Sequence, residues 1–183
     1  MKNIFFDTDI YSVTSPYGRR TIDGRTELHI GEDWGTGEGT GLFSIRPGGI
    51  INNWSDALGG NIITITYNDL KCLFNPTLTG VRFQFHHCQQ FIHPTGYHAA
   101  AGEVFGLTGR TGRVTGPHVH IEAYEGAHIT NTGRIDRVGS AVNPGAYTRN
   151  PGIVLKPTPG PVPVDRLPAF LEELKKLIAK YEK

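Results

Sequence analysis

The chain has 183 residues and a formal net charge of +1, so it lacks the strongly basic surface with which proteins bind nucleic acids or anionic membranes. Its two cysteines exclude a disulfide scaffold, and its 24 glycines and 12 prolines favour a strand-and-turn protein. The length suits one domain with an appendage. No stretch approaches the roughly 18 consecutive apolar residues that a membrane span requires.

The N-terminal segment MKNIFFDTDIYS has one lysine and a short apolar run, which is followed by Asp7 and Asp9. A secretion signal needs a longer apolar core after its basic residues. We therefore expect a protein without a signal peptide.

Short strand-like runs, separated by glycine and other turn residues, occupy most of residues 1–149. They lie at residues 26–33, 41–45, 49–54, 60–67, 81–88, 102–109 and 117–124. Strands of this length and spacing predict a mainly β domain, built as an antiparallel sheet, a sandwich or a partly closed barrel.

The first of these runs carries His29 and Asp33, with Gly31 between them. The glycine permits a bend that can bring the carboxylate back toward the imidazole. Imidazole and carboxylate together are good ligands for zinc. The alternative is an unrelated histidine and aspartate on the surface.

The run at 81–88 ends in two adjacent histidines, His86 and His87. Because side chains alternate along a strand, Phe85 and His87 should share one face and Gln84 and His86 the other. One of the two histidines is therefore free to enter a site and the other is not, although periodicity does not say which. We expect His86 to be a solvated or edge histidine.

The stretch TGRTGRVTGPHVHIEAYEG, residues 108–126, combines turn glycines with two closely spaced histidines. In a strand, His118, His120 and Glu122 would project from the same face. Two imidazoles on one face indicate a metal site, or a metal ligand beside an acid/base group. The alternative is two unrelated, half-buried histidines.

Composition changes at residues 150–164, where five prolines occur in 15 residues. This segment is typical of an extended, semi-rigid linker. The apolar residues of 165–183 fall on one helical face, with Asp165 as a plausible N-cap. We expect a C-terminal amphipathic helix that docks on the domain or mediates self-association.

Several blocks of this sequence together resemble the lysostaphin-type, LytM-like, zinc endopeptidases. They are HIGED, GNIITI, FHHC, AGEVFGLTGRTGRVTGPHVHIE and VNPGAY, and the resemblance runs from about residue 14 to residue 149. It implies a metallopeptidase domain with glycine-rich loops around a groove, one Zn²⁺ per chain, and the peptide cross-links of bacterial peptidoglycan as substrate.

Carried over residue by residue, the resemblance implies His29, Asp33 and His120 as zinc ligands and His87 and His118 as catalytic residues. Two imidazoles and one carboxylate would leave Zn²⁺ an open position for water, whose pKa such a site lowers toward about 7. The resemblance does not say which of His87 and His118 is the base and which stabilises the oxyanion.

Glu122 lies on the strand face of His120 and is a candidate to hydrogen-bond that ligand. An ordinary exposed strand residue is the equal alternative. Gly109, Gly112 and Gly116 are expected to form tight turns around the wall of the groove.

Two other functions compete with an active enzyme. One is a catalytically silent relative that binds the wall or activates another hydrolase, and the other is a structural zinc protein. Silent versions generally lose ligands, whereas structural sites usually recruit cysteines. With no signal peptide expected, we predict a phage lysin or virion-associated hydrolase, with a secreted enzyme whose leader has been removed as the alternative.

Overall fold

The computed structural model describes residues 3–7, 9–129, 135–137 and 141–155, and of residues 135–137 it describes the backbone. Within these residues the chain is built almost entirely of short strands. They are β1 (Ser12–Ser15), β2 (Gly18–Ile22), β3 (Arg25–His29), β4 (Glu32–Gly35), β5 (Gly41–Phe43), β6 (Gly49–Asp56), β7 (Gly60–Lys71), β8 (Thr79–Cys88), β9 (His98–Ala99), β10 (Val104–Leu107), β11 (Val119–Glu125), β12 (His128–Ile129), β13 (Ile135–Arg137) and β14 (Ala141–Val142). One helical turn, α1 (Gly145–Thr148), and a 3₁₀ turn at Pro151–Ile153 follow.

Eight of the described strands form one antiparallel sheet in the order β1-β4-β11-β8-β7-β6-β9, with β14 also paired to β11. Three two-stranded ribbons, β2–β3, β5–β10 and β12–β13, complete the described architecture. The prediction of a mainly antiparallel β domain is therefore confirmed. The longest hairpin joins β7 and β8, which pair from Asn61 and Cys88 as far as Lys71 and Thr79.

The two faces of the central sheet differ in chemistry because side chains alternate along each strand. One face is apolar and buried, with Ile63, Phe85 and Ile121 each at 0 % exposure. Phe5 of the N-terminal segment packs edge-on against Phe83 and Phe85, at ring-centroid distances of 4.9 and 5.0 Å. This burial is the main stabilising contribution to the domain, and it leaves the opposite face free to carry polar groups.

The described part of the predicted linker at 150–164 packs against the domain. Pro151–Ile153 form the 3₁₀ turn, and the Asn150 side chain accepts a hydrogen bond from the backbone of Gly152. The Leu155 backbone N–H donates to the carbonyl of Ile45 at 3.0 Å. Residues from 156 onward, including the rest of that linker and the predicted helix at 165–183, lie outside the described residues.

None of the helices in the described part of the chain is long and apolar enough to cross a membrane.

Candidate metal centre

Three neighbouring strands bring polar side chains together on the polar face of the sheet. In the register of β4, β11 and β8, Asp33 pairs with His120, and His120 pairs with His86. His29 ends β3, and the bend at 30–31 returns the chain into β4. Residues that are far apart in the sequence therefore meet in one row.

Gly31 is required at this bend because the imidazole of His120 occupies the space of a side chain. A Cβ at position 31 would lie 2.4 Å from Cε1 and Nε2 of His120 and 2.7 Å from the carbonyl oxygen of Ile121. The glycine therefore allows the ring of His120 to sit directly against the backbone of the His29–Asp33 segment.

His29, Asp33 and His120 direct one ligand atom each toward a common point. Nε2 of His29 lies 3.0 Å from Nδ1 of His120 and 3.3 Å from Oδ1 of Asp33. Nδ1 of His120 lies 2.8 Å from the same oxygen. These separations match the donor atoms around a small tetrahedral cation, whose bonds to nitrogen and oxygen are about 2.0–2.2 Å long.

The far side of each imidazole is held by an acceptor. Nδ1 of His29 donates to the carbonyl oxygen of Pro16 at 2.8 Å, and Nε2 of His120 donates to Oε1 of Glu122 at 3.1 Å. In the neutral rings these bonds leave the lone pairs on Nε2 of His29 and Nδ1 of His120, the two nitrogens that converge. Two lone pairs and a carboxylate at this distance need a cation between them, so the residues fit Zn²⁺.

The electrostatics of the cluster agree with that demand for positive charge. Burial opposes ionisation of Asp33, yet hydrogen bonds from His120 and His29 outweigh it and hold the pKa of Asp33 well below its usual range. Burial likewise disfavours a charged His120, but hydrogen bonds to Asp33 and Glu122 raise its pKa to about 9. Without a metal, a proton on His120 takes the place of the cation.

Glu122 is buried, at 4 % exposure, and is hydrogen-bonded on several sides. Besides His120, its carboxylate accepts hydrogen bonds from Nε2 of Gln84 at 3.0 Å and from the hydroxyl of Tyr124. Burial would raise its pKa, but the histidine contacts hold it well below the usual value for a glutamate. Glu122 is therefore an anionic partner for His120, as one of the two sequence interpretations expects.

His87 and His118 form a second pair beside the cluster, with ring centroids 4.7 Å apart. Nδ1 of His87 donates to the carbonyl oxygen of Thr111, and Nδ1 of His118 donates to that of Gly116, both at 2.9 Å. In the neutral rings, each histidine keeps an unprotonated Nε2. Burial lowers the pKa of His87 to about 4, so His87 is neutral at physiological pH.

The expectation that only one of His86 and His87 enters the site is wrong. The β7–β8 register places Asn61 opposite Cys88 but Ile63 opposite Phe85, so β8 carries one extra residue, a β-bulge. His87 has a left-handed backbone with φ of 64°, a region that histidine enters more readily than most residues. Strict alternation would have pointed His87 into the core with Phe85, and the bulge turns it to the site.

His86 is consequently not a solvated or edge residue. Its ring centroid lies 4.9 Å from that of His120, and its side chain is 15 % exposed. Nε2 of His86 accepts a hydrogen bond from Gln84 at 2.8 Å and lies 3.5 Å from Oε1 of Glu122.

Close backbone contact with the start of β7 helps to anchor the loop between β10 and β11. A Cβ at Gly60 would lie 2.3 Å from the carbonyl carbon of Thr111, and one at Gly112 would lie 2.3 Å from the backbone nitrogen of Gly60. Both glycines also have a positive φ. Gly116 has neither feature, since its Cβ would meet no described atom within 4 Å.

A groove of about 210 Å³ runs beside the cluster. Apart from Asp33 and His118, the lining is made of small and neutral residues, namely Thr14, Gly35, Thr115, Gly116 and Pro117. Nε2 of His118 lies 4.0 Å from Oδ1 of Asp33 at this end of the site.

Several groups that support the site have no signal in the sequence. The carbonyl oxygens of Pro16, Thr111 and Gly116 are backbone atoms, which every residue carries. Gln84 is different, because it shares the strand parity of His86 and could have been assigned to the polar face from alternation alone. Arg20, whose Nη1 lies 3.5 Å from Oδ2 of Asp33, reaches the site only through the pairing of β2 with β3.

A comparison with protein-family models matches residues 27–144 to "Peptidase family M23". Among curated proteins, the chain is 27 % identical over 113 residues to the peptidoglycan DD-endopeptidase ShyB of Vibrio cholerae, covering 62 % of this chain and 24 % of that protein. It is 31 % identical over 108 residues to lysostaphin of Staphylococcus simulans, covering 58 % of this chain and 20 % of that protein. The chain thus spans about a quarter or less of the length of these relatives.

Among solved structures, the chain is similar to a mutant of the catalytic domain of the prophage-encoded M23 protein EnpA from Enterococcus faecalis. The TM-score is 0.54 at 26 % sequence identity, covering 78 % of this chain and 97 % of that domain.

Proposed function

The chain belongs to peptidase family M23, and from this membership we propose that it is a zinc-dependent endopeptidase that hydrolyses peptide cross-links of bacterial peptidoglycan. Similarity to ShyB and to lysostaphin supports this class of substrate. The resemblance to lysostaphin-type enzymes that the sequence motifs suggest is confirmed by the family match.

The observation that carries the proposal is the convergence of three ligand atoms, two of which belong to imidazoles with a fixed tautomer. His29, Asp33 and His120 place these atoms 2.8–3.3 Å apart. Zn²⁺ held by these side chains would supply Lewis-acid activation of water and of the substrate carbonyl at neutral pH. A complete ligand set favours an enzyme over a silent relative of the same fold.

His87 and His118 supply proton transfer, since neither is among the three ligands. His87 is neutral at physiological pH, and the carbonyl of Thr111 holds its Nδ1–H, so it can accept a proton at Nε2. His118 is held in the same way by the carbonyl of Gly116. Both rings are therefore oriented before substrate arrives, which lowers the entropic cost of reaching the transition state.

The groove supports a peptide as the substrate. It lies beside Asp33 and His118, and Gly35 and Gly116 in its lining present backbone without a side chain. An extended peptide can approach such a wall closely. The groove accordingly favours cross-links made of residues with small side chains.

We also propose that the enzyme is a phage lysin or a virion-associated wall hydrolase. The similarity to the catalytic domain of a prophage-encoded M23 protein supports this origin. A secreted bacterial enzyme is the alternative, and the neighbouring genes would separate the two.

The experiment that tests the proposed function uses two purified peptidoglycans, one with glycine bridges and one with direct D-Ala to diamino-acid links. The zinc-loaded protein should release fragments with new amino termini from at least one of them, and mass analysis identifies the bond. Sedimentation with peptidoglycan but no new amino termini would favour the silent wall-binding alternative.

A further inference from the structure

The far side of His120 carries a second group of metal-ligating atoms. His86, His120 and Glu122 each offer one ligand atom, and these three atoms lie within 4.8 Å of one another. We propose that these three side chains form a second divalent-cation site, which takes Zn²⁺ at a higher concentration than the His29–Asp33–His120 site does. His120 would then bridge two ions through its two ring nitrogens.

The geometry of the second site repeats that of the first in its donor types. Oε1 of Glu122 lies 3.1 Å from Nε2 of His120 and 3.5 Å from Nε2 of His86. Two imidazole nitrogens beside one carboxylate oxygen suit Zn²⁺ better than Ca²⁺ or Mg²⁺, which prefer sites made of oxygen atoms alone. The ring planes of His86 and His120 cross at 82°, so the two rings meet edge to face and can approach one ion from different directions.

The hydrogen bonds around His86 show that its Nε2 carries a lone pair. Nε2 of Gln84 donates to this atom at 2.8 Å and to Oε2 of Glu122 at 3.0 Å. A rotation of the Gln84 amide removes that donor and presents its carbonyl oxygen instead. The structure therefore holds a ligand-ready histidine whose lone pair is at present occupied by an exchangeable amide.

Occupation of the second site has a defined proton balance. When the first ion is bound at Nδ1 of His120, the ring keeps one proton, on Nε2. This N–H donates a hydrogen bond to Glu122. The second ion replaces that proton, which leaves to solvent, and it also displaces the hydrogen bond from Gln84. Because binding has these two costs, the second ion should bind more weakly than the first.

This inference goes beyond the proposed peptidase activity, because the second site does not depend on what the chain hydrolyses. It does rest on His120 as a ligand of the first ion. It also gives a role to His86, for which the sequence suggested none.

The test compares zinc stoichiometry in the wild-type chain and in His86→Gln. Each metal-free protein is dialysed against Zn²⁺ from the micromolar to the submillimolar range, and bound metal is counted by elemental analysis. We expect one ion at low concentration in both proteins, and at high concentration one more ion in the wild type than in His86→Gln. His98→Gln is the control, since His98 is an exposed histidine on β9. This variant should bind as many zinc ions as the wild type at every concentration.

Gln84→Glu provides a second measurement that does not depend on how well His86→Gln folds. The substitution replaces the NH₂ group that donates to His86 by a carboxylate oxygen, which can bind the ion. The second ion should therefore bind at least about tenfold more tightly than in the wild type. Equal stoichiometry in the wild type and His86→Gln at all concentrations, with no gain in Gln84→Glu, would overturn the second site. A chain that bound no zinc at any concentration would instead contradict the proposed function.

Discussion

At the scale of single residues, the site depends on a few backbone positions that allow side chains to approach. Gly31 has an ordinary negative-φ backbone but no room for a Cβ, because the ring of His120 lies there. Its role is therefore to give space to the ring of His120, a proposed ligand. Gly116 lies in the same region of the molecule and has open space around it, which makes the two glycines a matched pair.

We predict that Gly31→Ala lowers zinc content and that Gly116→Ala does not. The new methyl group at position 31 would lie 2.4 Å from two atoms of His120, so the ring must move away from the common point, at a cost of about 1–3 kcal/mol in stability. Elemental zinc analysis and urea unfolding of both variants check this. Equal zinc content in the two variants would contradict the role given to Gly31.

The neutral state of His87 predicts how stability depends on pH. Burial lowers its pKa from 6.5 to about 4, so the unfolded chain binds a proton here more readily than the folded chain does. The free energy of unfolding is therefore unaffected by His87 titration above pH 6.5, and it decreases as the pH falls from 6.5 toward 4.

The measurement is urea unfolding of metal-free wild type and His87→Asn at pH 7.5 and pH 4.5. Asparagine tolerates the left-handed backbone of this position but does not titrate. Between the two pH values, the wild type should lose about 2 kcal/mol more free energy of unfolding than the variant. Parallel losses in the two proteins would show that His87 is not held neutral by burial.

Sequence periodicity predicts part of this site and fails at one identifiable point. The spacing of His29, Gly31 and Asp33 and the alternation of His118, His120 and Glu122 both describe what the structure brings together. The prediction that His86 lies outside the site failed because alternation breaks at His87, so both adjacent histidines reach the site. The bulge in β8 and the left-handed φ of His87 depend on pairing with β7, which the local sequence does not encode.

At the scale of elements, the loop before β11 is positioned by its contact with the β6–β7 hairpin. Gly60 and Gly112 let the two backbones meet, because a Cβ on either residue would lie only 2.3 Å from a backbone atom of the other segment. The hydroxyl of Thr111 donates to the carbonyl of Cys88 at 2.8 Å and accepts from the backbone N–H of Asn61 at 2.9 Å. The same residue supplies the carbonyl that orients His87. The contact between the loop and the hairpin therefore fixes the position of the acceptor that holds the His87 ring.

We predict that Gly60→Ala disturbs the site more than Gly48→Ala does. Both glycines have a positive φ, of 65° and 80°, and each substitution therefore incurs a backbone cost of about 1–2 kcal/mol. Only at Gly60 does the new Cβ meet other atoms, those of Thr111 and Gly112.

Gly60→Ala should therefore lose about 1–3 kcal/mol more stability than Gly48→Ala and should lose hydrolytic activity, while Gly48→Ala keeps it. Thermal unfolding and peptidoglycan hydrolysis on the same preparations check both statements. Retention of full activity in Gly60→Ala would show that the loop contact does not position His87.

The strands themselves were largely predictable, whereas their arrangement was not. Seven runs of alternating or β-branched residues coincide with observed strands, because half-buried strands leave a period of two in the sequence. Strand β2 was missed, since most of its residues are exposed and carry no apolar period, whereas its partner β3 lies within the predicted run at 26–33. The sheet order β4-β11-β8, which assembles the site, joins segments tens of residues apart and has no local signal.

At the scale of the whole molecule, the sheet separates stability from chemistry. The apolar face packs Phe5, Phe83 and Phe85 into the core, and the opposite face presents histidines and carboxylates around a groove. The central claim is that one ion is held by His29, Asp33 and His120, whereas His118, two residues from a ligand, acts on the substrate.

The most direct test compares His118→Ala and His120→Ala, with zinc content at micromolar Zn²⁺ and cross-link hydrolysis measured on the same preparations. We predict that His118→Ala keeps about one zinc per chain and loses activity by about 10²–10⁴-fold, as expected on removal of a positioned acid/base group, whereas His120→Ala loses both zinc and activity. Loss of zinc from His118→Ala, or full zinc content in His120→Ala, would contradict this division of roles.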